Sequence, residues 1–169
     1  MSHHVDESPP RALKARKLSY GARLSLETAR RMLESGEQEA KKQAVPMSMA
    51  IADNGGNLLA FNRMDDAMLS STNIAIDKAF TTVFSKRSTK TCGEVVNSGG
   101  LIPLFLHERW ITFPGGYPII SNGIILGGVG VSGGTFEDIY VARAILKAGG
   151  FDTEEADATL AQIEGKKKD

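Results

Sequence analysis

Hydrophobic positions recur at helical spacing along residues 26–43, where they line one face. Ser25 precedes this run as a predicted N-cap, and Pro46 cannot continue the helix. The weak alternation of residues 17–25 predicts a first strand before it. The chain therefore opens with a strand and an amphipathic helix. The expected buried face comprises Leu26, Ala29, Met32, Leu33, Gly36 and Ala40.

Two later segments alternate with a period of two and contain strong turn signals, which predicts two β-hairpins. The first spans residues 45–64 around Asp53-Asn54-Gly55-Gly56, and the second spans 117–132 around Ser121-Asn122-Gly123. One face of the first strand of this hairpin carries only Ser48, Ala50 and Ala52, which favours a helix packed close against the sheet. Hairpins pair antiparallel, so the sheet is antiparallel.

A second helix is predicted over residues 70–90, and a third begins at Thr135, with Asp138 completing a capping box. Residues 91–113 show no clear period, and residues 151–165 predict a short closing helix capped by Asp152. For the second helix, Lys78, Thr82 and Lys86 are expected away from the apolar stripe. That stripe comprises Ile76, Ala79, Phe80, Val83 and Phe84.

This order predicts one α+β domain over residues 17–164, with a central antiparallel sheet of about five strands flanked by helices. Residues 1–16 are expected to form a flexible arm and residues 165–169 a basic tail. The glycines of residues 113–134 are expected to serve close packing first and a ligand carboxylate second.

The composition of the chain disfavours several classes of function. The chain has 20 acidic and 20 basic residues, which disfavours nucleic-acid and membrane-surface binding. A single cysteine, Cys92, argues against a disulfide or a multi-cysteine metal site, so no metal site is expected. The charged N-terminal residues do not resemble a secretory signal, which favours a cytoplasmic protein.

Three segments together resemble the GlcG/HbpS family, which includes the C-terminal domain of PduO-type proteins. They are PMSMAIADNGGNLLAFNRMDDA (46–67), IAIDKAFTTVFSKRSTK (74–90) and GGYPIISNGIILGGVGVSGGTFEDIYVARAIL (115–146). The resemblance implies a profilin-like fold and a homo-oligomer. It also implies either binding of haem or a role in a catabolic gene cluster.

The candidate site centres on LHERW (106–110). His107 is a candidate haem ligand or general base, Arg109 a partner for a carboxylate, and Trp110 a surface for a flat ring. The same residues also suit an oligomer contact. Lys78 and Arg87 are further candidates for holding an anion, as are the backbone groups of Gly115, Gly116 and Thr135.

Three hypotheses follow. The first is a cytoplasmic protein that binds haem or a related tetrapyrrole through His107, Arg109 and Trp110. The second is an enzyme acting on a hydroxy acid, with Lys78, Arg87 and Arg109 holding the carboxylate and His107 moving a proton. The third is a non-catalytic oligomeric accessory protein.

Overall fold

The computed structural model describes residues 21–100 and 107–157. The predicted arm, the basic tail, residues 17–20 of the expected first strand and the end of the closing helix lie outside this part of the chain. The elements within it are α1 (Leu26–Gln43), β1 (Ser48–Asp53), β2 (Leu58–Arg63), α2 (Ser71–Ser85), α3 (Thr89–Asn97), β3 (Gly116–Ser121), β4 (Ile124–Ser132) and α4 (Glu137–Ala148).

Four strands form one antiparallel sheet in the order β2-β1-β4-β3. The two predicted hairpins are its halves, and β1 pairs with β4 between them. The α+β fold is confirmed, but the described sheet has four strands rather than about five. Residues 21–25 form no strand, because Ser25 accepts a hydrogen bond from Thr28 N–H at 3.1 Å and starts α1.

The larger core lies on the face of the sheet that α1 and α4 cover. The alternate side chains Met49, Ile51, Val129 and Val131 pack there against Ile145 and its neighbours. The buried face of α1 matches the prediction except at Leu26, which is exposed.

Helix α2 covers the opposite face, where β4 presents glycines and β1 presents small side chains. A Cβ on Gly130 would lie 2.1 Å from the carbonyl oxygen of Ala75, and one on Gly128 would lie 2.4 Å from that of Ala79. Ala50 and Ala52 of β1 continue this smooth surface. The glycines therefore let the helix backbone approach β4 directly, as expected for close packing.

The predicted second helix is in fact two helices. Lys86 takes a left-handed conformation with φ of 58° and ends α2, and the Ser88 side chain then accepts from Thr91 N–H to start α3. The segment expected to be irregular from residue 91 is therefore helical as far as Asn97.

The orientation of α2 also differs from the prediction. Lys78 and Thr82, expected away from the apolar stripe, are buried, whereas Phe84 is 57% exposed. The reason is the glycine surface of β4, which accepts only the small side of the helix. The aromatic side consequently faces away from the sheet.

Candidate functional site

Three rings of similar orientation cluster on the outward face of α2. The Phe80 centroid lies 5.5 Å from that of Phe84 and 5.6 Å from that of His107, with interplanar angles of 17° and 18°. Phe84 and His107 are 5.8 Å apart. Because the three centroids form a triangle and not a line, this ring cluster presents an aromatic surface broader than one ring.

The segment carrying His107 is fastened to α2 by one threonine. The hydroxyl of Thr81 donates to the carbonyl of Arg109 at 3.0 Å and accepts from Ile111 N–H at 3.1 Å. Thr81 thus satisfies two backbone groups of a segment that belongs to no regular element. These bonds set where His107, Arg109 and Trp110 lie relative to the helix.

Arg109 combines an ion pair with ring stacking. Its Nε donates to Asp77 Oδ1 at 2.8 Å, and its guanidinium carbon lies 3.9 Å from the Phe80 centroid. Neither Nη group has a hydrogen-bond partner among the described residues, and the side chain is 39% exposed. Arg109 therefore keeps donors that suit a ligand carboxylate.

His107 is exposed, and its ring is oriented by a backbone contact. Nδ1 accepts a 3.3 Å hydrogen bond from Arg109 N–H. Nδ1 carries no proton while it accepts this bond, so the contact fits the tautomer with its proton on Nε2. In this arrangement His107 can donate from Nε2 to a ligand oxygen.

Trp110 borders the ring cluster from below the surface. It is 7% exposed and packs edge-on against Phe84, with centroids 6.2 Å apart. Its Nε1 is a buried donor for which the described residues offer no acceptor. Buried indole N–H groups usually have a partner, so this donor suits a ligand or water oxygen.

Lys78 is placed elsewhere, inside the molecule. Its Nζ donates to Asp138 Oδ2 at 2.8 Å and to the carbonyl of Val131 at 2.7 Å. Burial is the largest cause of the pKa shifts of both groups, because it lowers the pKa of Lys78 and raises the pKa of Asp138. The attraction between the two groups partly offsets each shift. The ammonium is thus engaged with protein groups.

Gly115 and Gly116 line this buried region. Gly115 has φ of 112°, and a Cβ there would lie 2.8 Å from Lys78 Nζ. Gly116 N–H donates to Thr89 Oγ1 at 3.0 Å. Both glycines make close protein contacts, and their role as ligand contacts stays a prediction.

Thr135 is exposed, and α4 begins two residues later than predicted, at Glu137. The expected capping box is absent: Phe136 is the N-cap residue and makes no side-chain cap bond. Instead Asp138 Oδ1 accepts from Gly134 N–H at 2.8 Å, and Glu137 Oε2 accepts from Thr135 N–H at 2.9 Å. The chain's own carboxylates therefore take the place expected for an anion.

Arg87 lies in the connection between α2 and α3, where its backbone bonds Ser85. Cys92 follows in α3 and is fully buried; desolvation raises the pKa of its thiol, although Ser85 and Arg87 act in the opposite direction. Cys92 is therefore a small core residue and not an activated nucleophile. No group of three or more His, Cys, Asp or Glu side chains within residues 21–100 and 107–157 is arranged to hold a metal ion.

The structure thus brings together His107, Arg109 and Trp110, whereas the described contacts of the other candidates are with different residues: Lys78, Gly115, Gly116 and Thr135. Sequence reasoning missed Asp77, and it assigned Phe80 and Phe84 to the core. Their spacing of three and four residues carried a signal, since it puts all three on one helix face. An aspartate and two phenylalanines on the same helix face indicate a partly exposed face better than they indicate a buried one.

A four-stranded antiparallel sheet between helical layers, with an aromatic cluster on one helix, defines a small α+β domain. The chain belongs to the family described as haem degrading protein HbpS-like, whose model matches residues 24–147. None of the described helices has the length and apolarity needed to cross a membrane.

Named relatives agree with this assignment. Protein GlcG of Escherichia coli K12 is 38% identical over 115 residues, covering 64% of this chain and 81% of that protein. An uncharacterized 15.0 kDa protein of Citrobacter freundii, encoded between dhaT and dhaS, is 37% identical over 129 residues, covering 74% and 91%. A crystal structure of a PduOC:heme complex matches with a TM-score of 0.73 and 31% identity, covering 78% and 99%.

Proposed function

We propose that this protein binds haem or a related tetrapyrrole at the ring cluster. The observation that carries the proposal is the triangle of the exposed Phe84 and His107 with the half-buried Phe80, over whose ring Arg109 is stacked. Flat apolar rings match the face of a macrocycle, and a guanidinium matches its carboxylates. A relative's complex with haem supports the same ligand class.

Each residue has a role that its contacts suggest. The rings of Phe80 and Phe84 supply apolar area, and His107 adds a third ring with a donor at Nε2. The two Nη groups of Arg109 bind a propionate while Asp77 holds the Nε. Trp110 supports Phe84 from below and offers its Nε1. Bound haem would supply the iron chemistry, and these side chains bind and orient it.

A haemin titration followed by Soret absorbance tests the proposal. We expect saturable binding to the wild type, weakened about tenfold or more by Phe84→Ala or Arg109→Met. His107→Ala should also weaken it. Matched controls are Phe136→Ala, which removes another exposed phenylalanine, and Arg143→Met. Arg143 also donates its Nε to an aspartate and is exposed to 38%, against 39% for Arg109.

The controls should bind haemin as the wild type does. Absence of saturable binding to the wild type would sink the proposed function. Equal weakening by both phenylalanine variants, or by both arginine variants, would move the site away from the ring cluster.

The hydroxy-acid hypothesis requires Lys78, Arg87 and Arg109 at one carboxylate. Lys78 instead pairs with Asp138 inside the protein. No described contact joins the three cations, so the structure favours the tetrapyrrole proposal over this alternative.

Assembly and location form a second part of the proposal. We propose a homo-oligomer in the cytoplasm, supported by the family resemblance and by the exposed apolar side chains Met68 and Leu69 in the β2–α2 connection. A monomer at micromolar concentration in light scattering would contradict the oligomer. Cell fractionation with an antibody would test the location.

A further inference from the structure

We propose that Thr81 is a positioning residue of the candidate site and controls ligand affinity without touching the ligand. Its hydroxyl holds the turn that carries His107 and Arg109 against α2. This inference rests on the proposed function and adds a residue that lies beneath the ring cluster and is not part of it. Three observations lead to it.

The first observation is that residues 107–110 form one β-turn. Trp110 N–H donates to the carbonyl of His107 at 3.0 Å, and Arg109 N–H donates to His107 Nδ1 at 3.3 Å. These two contacts link the residues of the turn to one another. Where the His107 and Arg109 side chains lie relative to the rings therefore depends on how the turn is attached to the helix.

The second observation is the attachment itself. The Thr81 hydroxyl bonds the backbone on both sides of Trp110, donating to the carbonyl of Arg109 at 3.0 Å and accepting from Ile111 N–H at 3.1 Å. Thr81 is fully buried, so removal of its hydroxyl would leave two backbone groups without that partner. An outward movement of the turn would let both groups bond water.

The third observation is that the other contacts of the turn are less directional. The ion pair between Arg109 and Asp77 joins side chains that are 39% and 22% exposed, and ion pairs at such exposure contribute little. Trp110 packs against Phe84, but apolar packing has no preferred direction. The two backbone bonds of Thr81 therefore set the position of the turn, and Asp77 orients the guanidinium once the turn is in place.

Thr81→Val tests the proposal, because it removes the hydroxyl and keeps a branched side chain in its place. In a haemin titration followed by Soret absorbance, we expect a dissociation constant at least about tenfold weaker than that of the wild type, since the site is no longer preorganised. Thr81→Ser keeps the hydroxyl and should restore binding to within about threefold of the wild type.

Thr82→Val is the matched control. Thr82 is the next residue of α2 and is also fully buried, but its hydroxyl donates to the carbonyl of Ala79 within the same helix. The variant loses one buried hydroxyl, as Thr81→Val does, and leaves the turn attached. It should therefore bind haemin within about threefold of the wild type.

Amide hydrogen exchange separates positioning from general stability. In the ligand-free protein, Thr81→Val should speed exchange at the Ile111 N–H about tenfold more than Thr82→Val does, because only the first variant removes the acceptor of this group. In the wild type, haemin should slow exchange at Ile111. That measurement tests the same contact if Thr81→Val does not fold.

Wild-type affinity in Thr81→Val, or equal weakening by Thr81→Val and Thr82→Val, would overturn the inference and leave the proposed function intact. If Thr81→Val does not fold, Ile111 exchange that haemin leaves unchanged would overturn it. If the wild type binds no haemin saturably, the proposed function fails, and exchange in the ligand-free variants decides the role of Thr81. Faster exchange at Ile111 in Thr81→Val alone would support the positioning of the turn, and equal exchange in both variants would end it.

Discussion

At the scale of single residues, the buried ion pair between Lys78 and Asp138 stands out. Both side chains are almost completely removed from water, and they connect α2 to the start of α4. The ammonium also bonds the end of β4 through the carbonyl of Val131. Charges taken from water are costly, so each depends on its partner to stay inside the fold.

We predict that Lys78→Met lowers the free energy of unfolding by about 3 kcal/mol, because it leaves the Asp138 carboxylate buried without its cation. Asp138→Asn should lower the free energy of unfolding by a similar amount, because it leaves the Lys78 ammonium buried without its anion. The double variant Lys78→Met/Asp138→Asn should lose less than the sum of the two. Urea denaturation measures all three. Additive losses would show that the two charges do not stabilise each other.

This pair also shows what the sequence could not predict. The two residues lie 60 positions apart, and nothing local marks either as buried. The same limit applies to the candidate site: LHERW was found because its residue types are unusual together, whereas Asp77, Phe80 and Phe84 required the orientation of α2. That orientation follows from contacts with β4, which are distant in sequence.

At the scale of the elements, local signals predicted most of the fold. Ser25 starts α1 as its type and position indicated, and both hairpins turn at their Asn-Gly-containing segments. The break between α2 and α3 was missed because residues 85–91 are all polar, so no apolar spacing marks where one helix ends and the next begins. Ser88, a good N-cap residue, was the available signal.

The close contact between α2 and β4 gives a second prediction. Gly130→Ala should destabilise the protein by about 2 kcal/mol or more, because the new Cβ would meet the backbone of α2 and not a mobile side chain. Gly55→Ala is the control: its Cβ would meet the flexible Asn57 amide at 3.0 Å. Thermal denaturation should show a clear loss for Gly130→Ala and little change for Gly55→Ala. Equal effects would mean that the close packing contributes nothing specific.

At the scale of the whole molecule, the last described residues are held to elements that are far from them in the chain. Asp157 accepts a hydrogen bond from Arg143 of α4. Glu155 accepts from Thr91 Oγ1 at 2.7 Å and from Ser88 N–H at the start of α3. This segment therefore joins the two helical layers around the edge of the sheet formed by β3.

The Asp157 contact makes stability depend on pH. The hydrogen bond from Arg143 lowers the pKa of Asp157 below its ordinary value of 3.8. A depressed carboxyl pKa stabilises the fold above the unfolded value, and the stabilisation is lost as pH falls through the folded value. Asp157→Asn should thus be less stable than the wild type at pH 6, and the difference should shrink below about pH 4.

Chemical denaturation of both proteins at several pH values measures this difference. The comparison is needed because the pKa of Glu39 is also lowered, mainly by its hydrogen bond with Gln43, and Glu39 is present in both proteins. A difference that stays constant from pH 6 to about pH 3 would contradict the prediction.

The glycine surface of β4 has a consequence on the far side of α2. A rotation of the helix toward its aromatic side would bring Phe80 and Phe84 against a strand that has no room for them. The glycines of β4 therefore allow only the orientation of α2 in which Phe80 and Phe84 lie on the side away from this strand. Substitutions of the β4 glycines that α2 covers should then change the positions of Phe80 and Phe84, although these glycines contact no ligand.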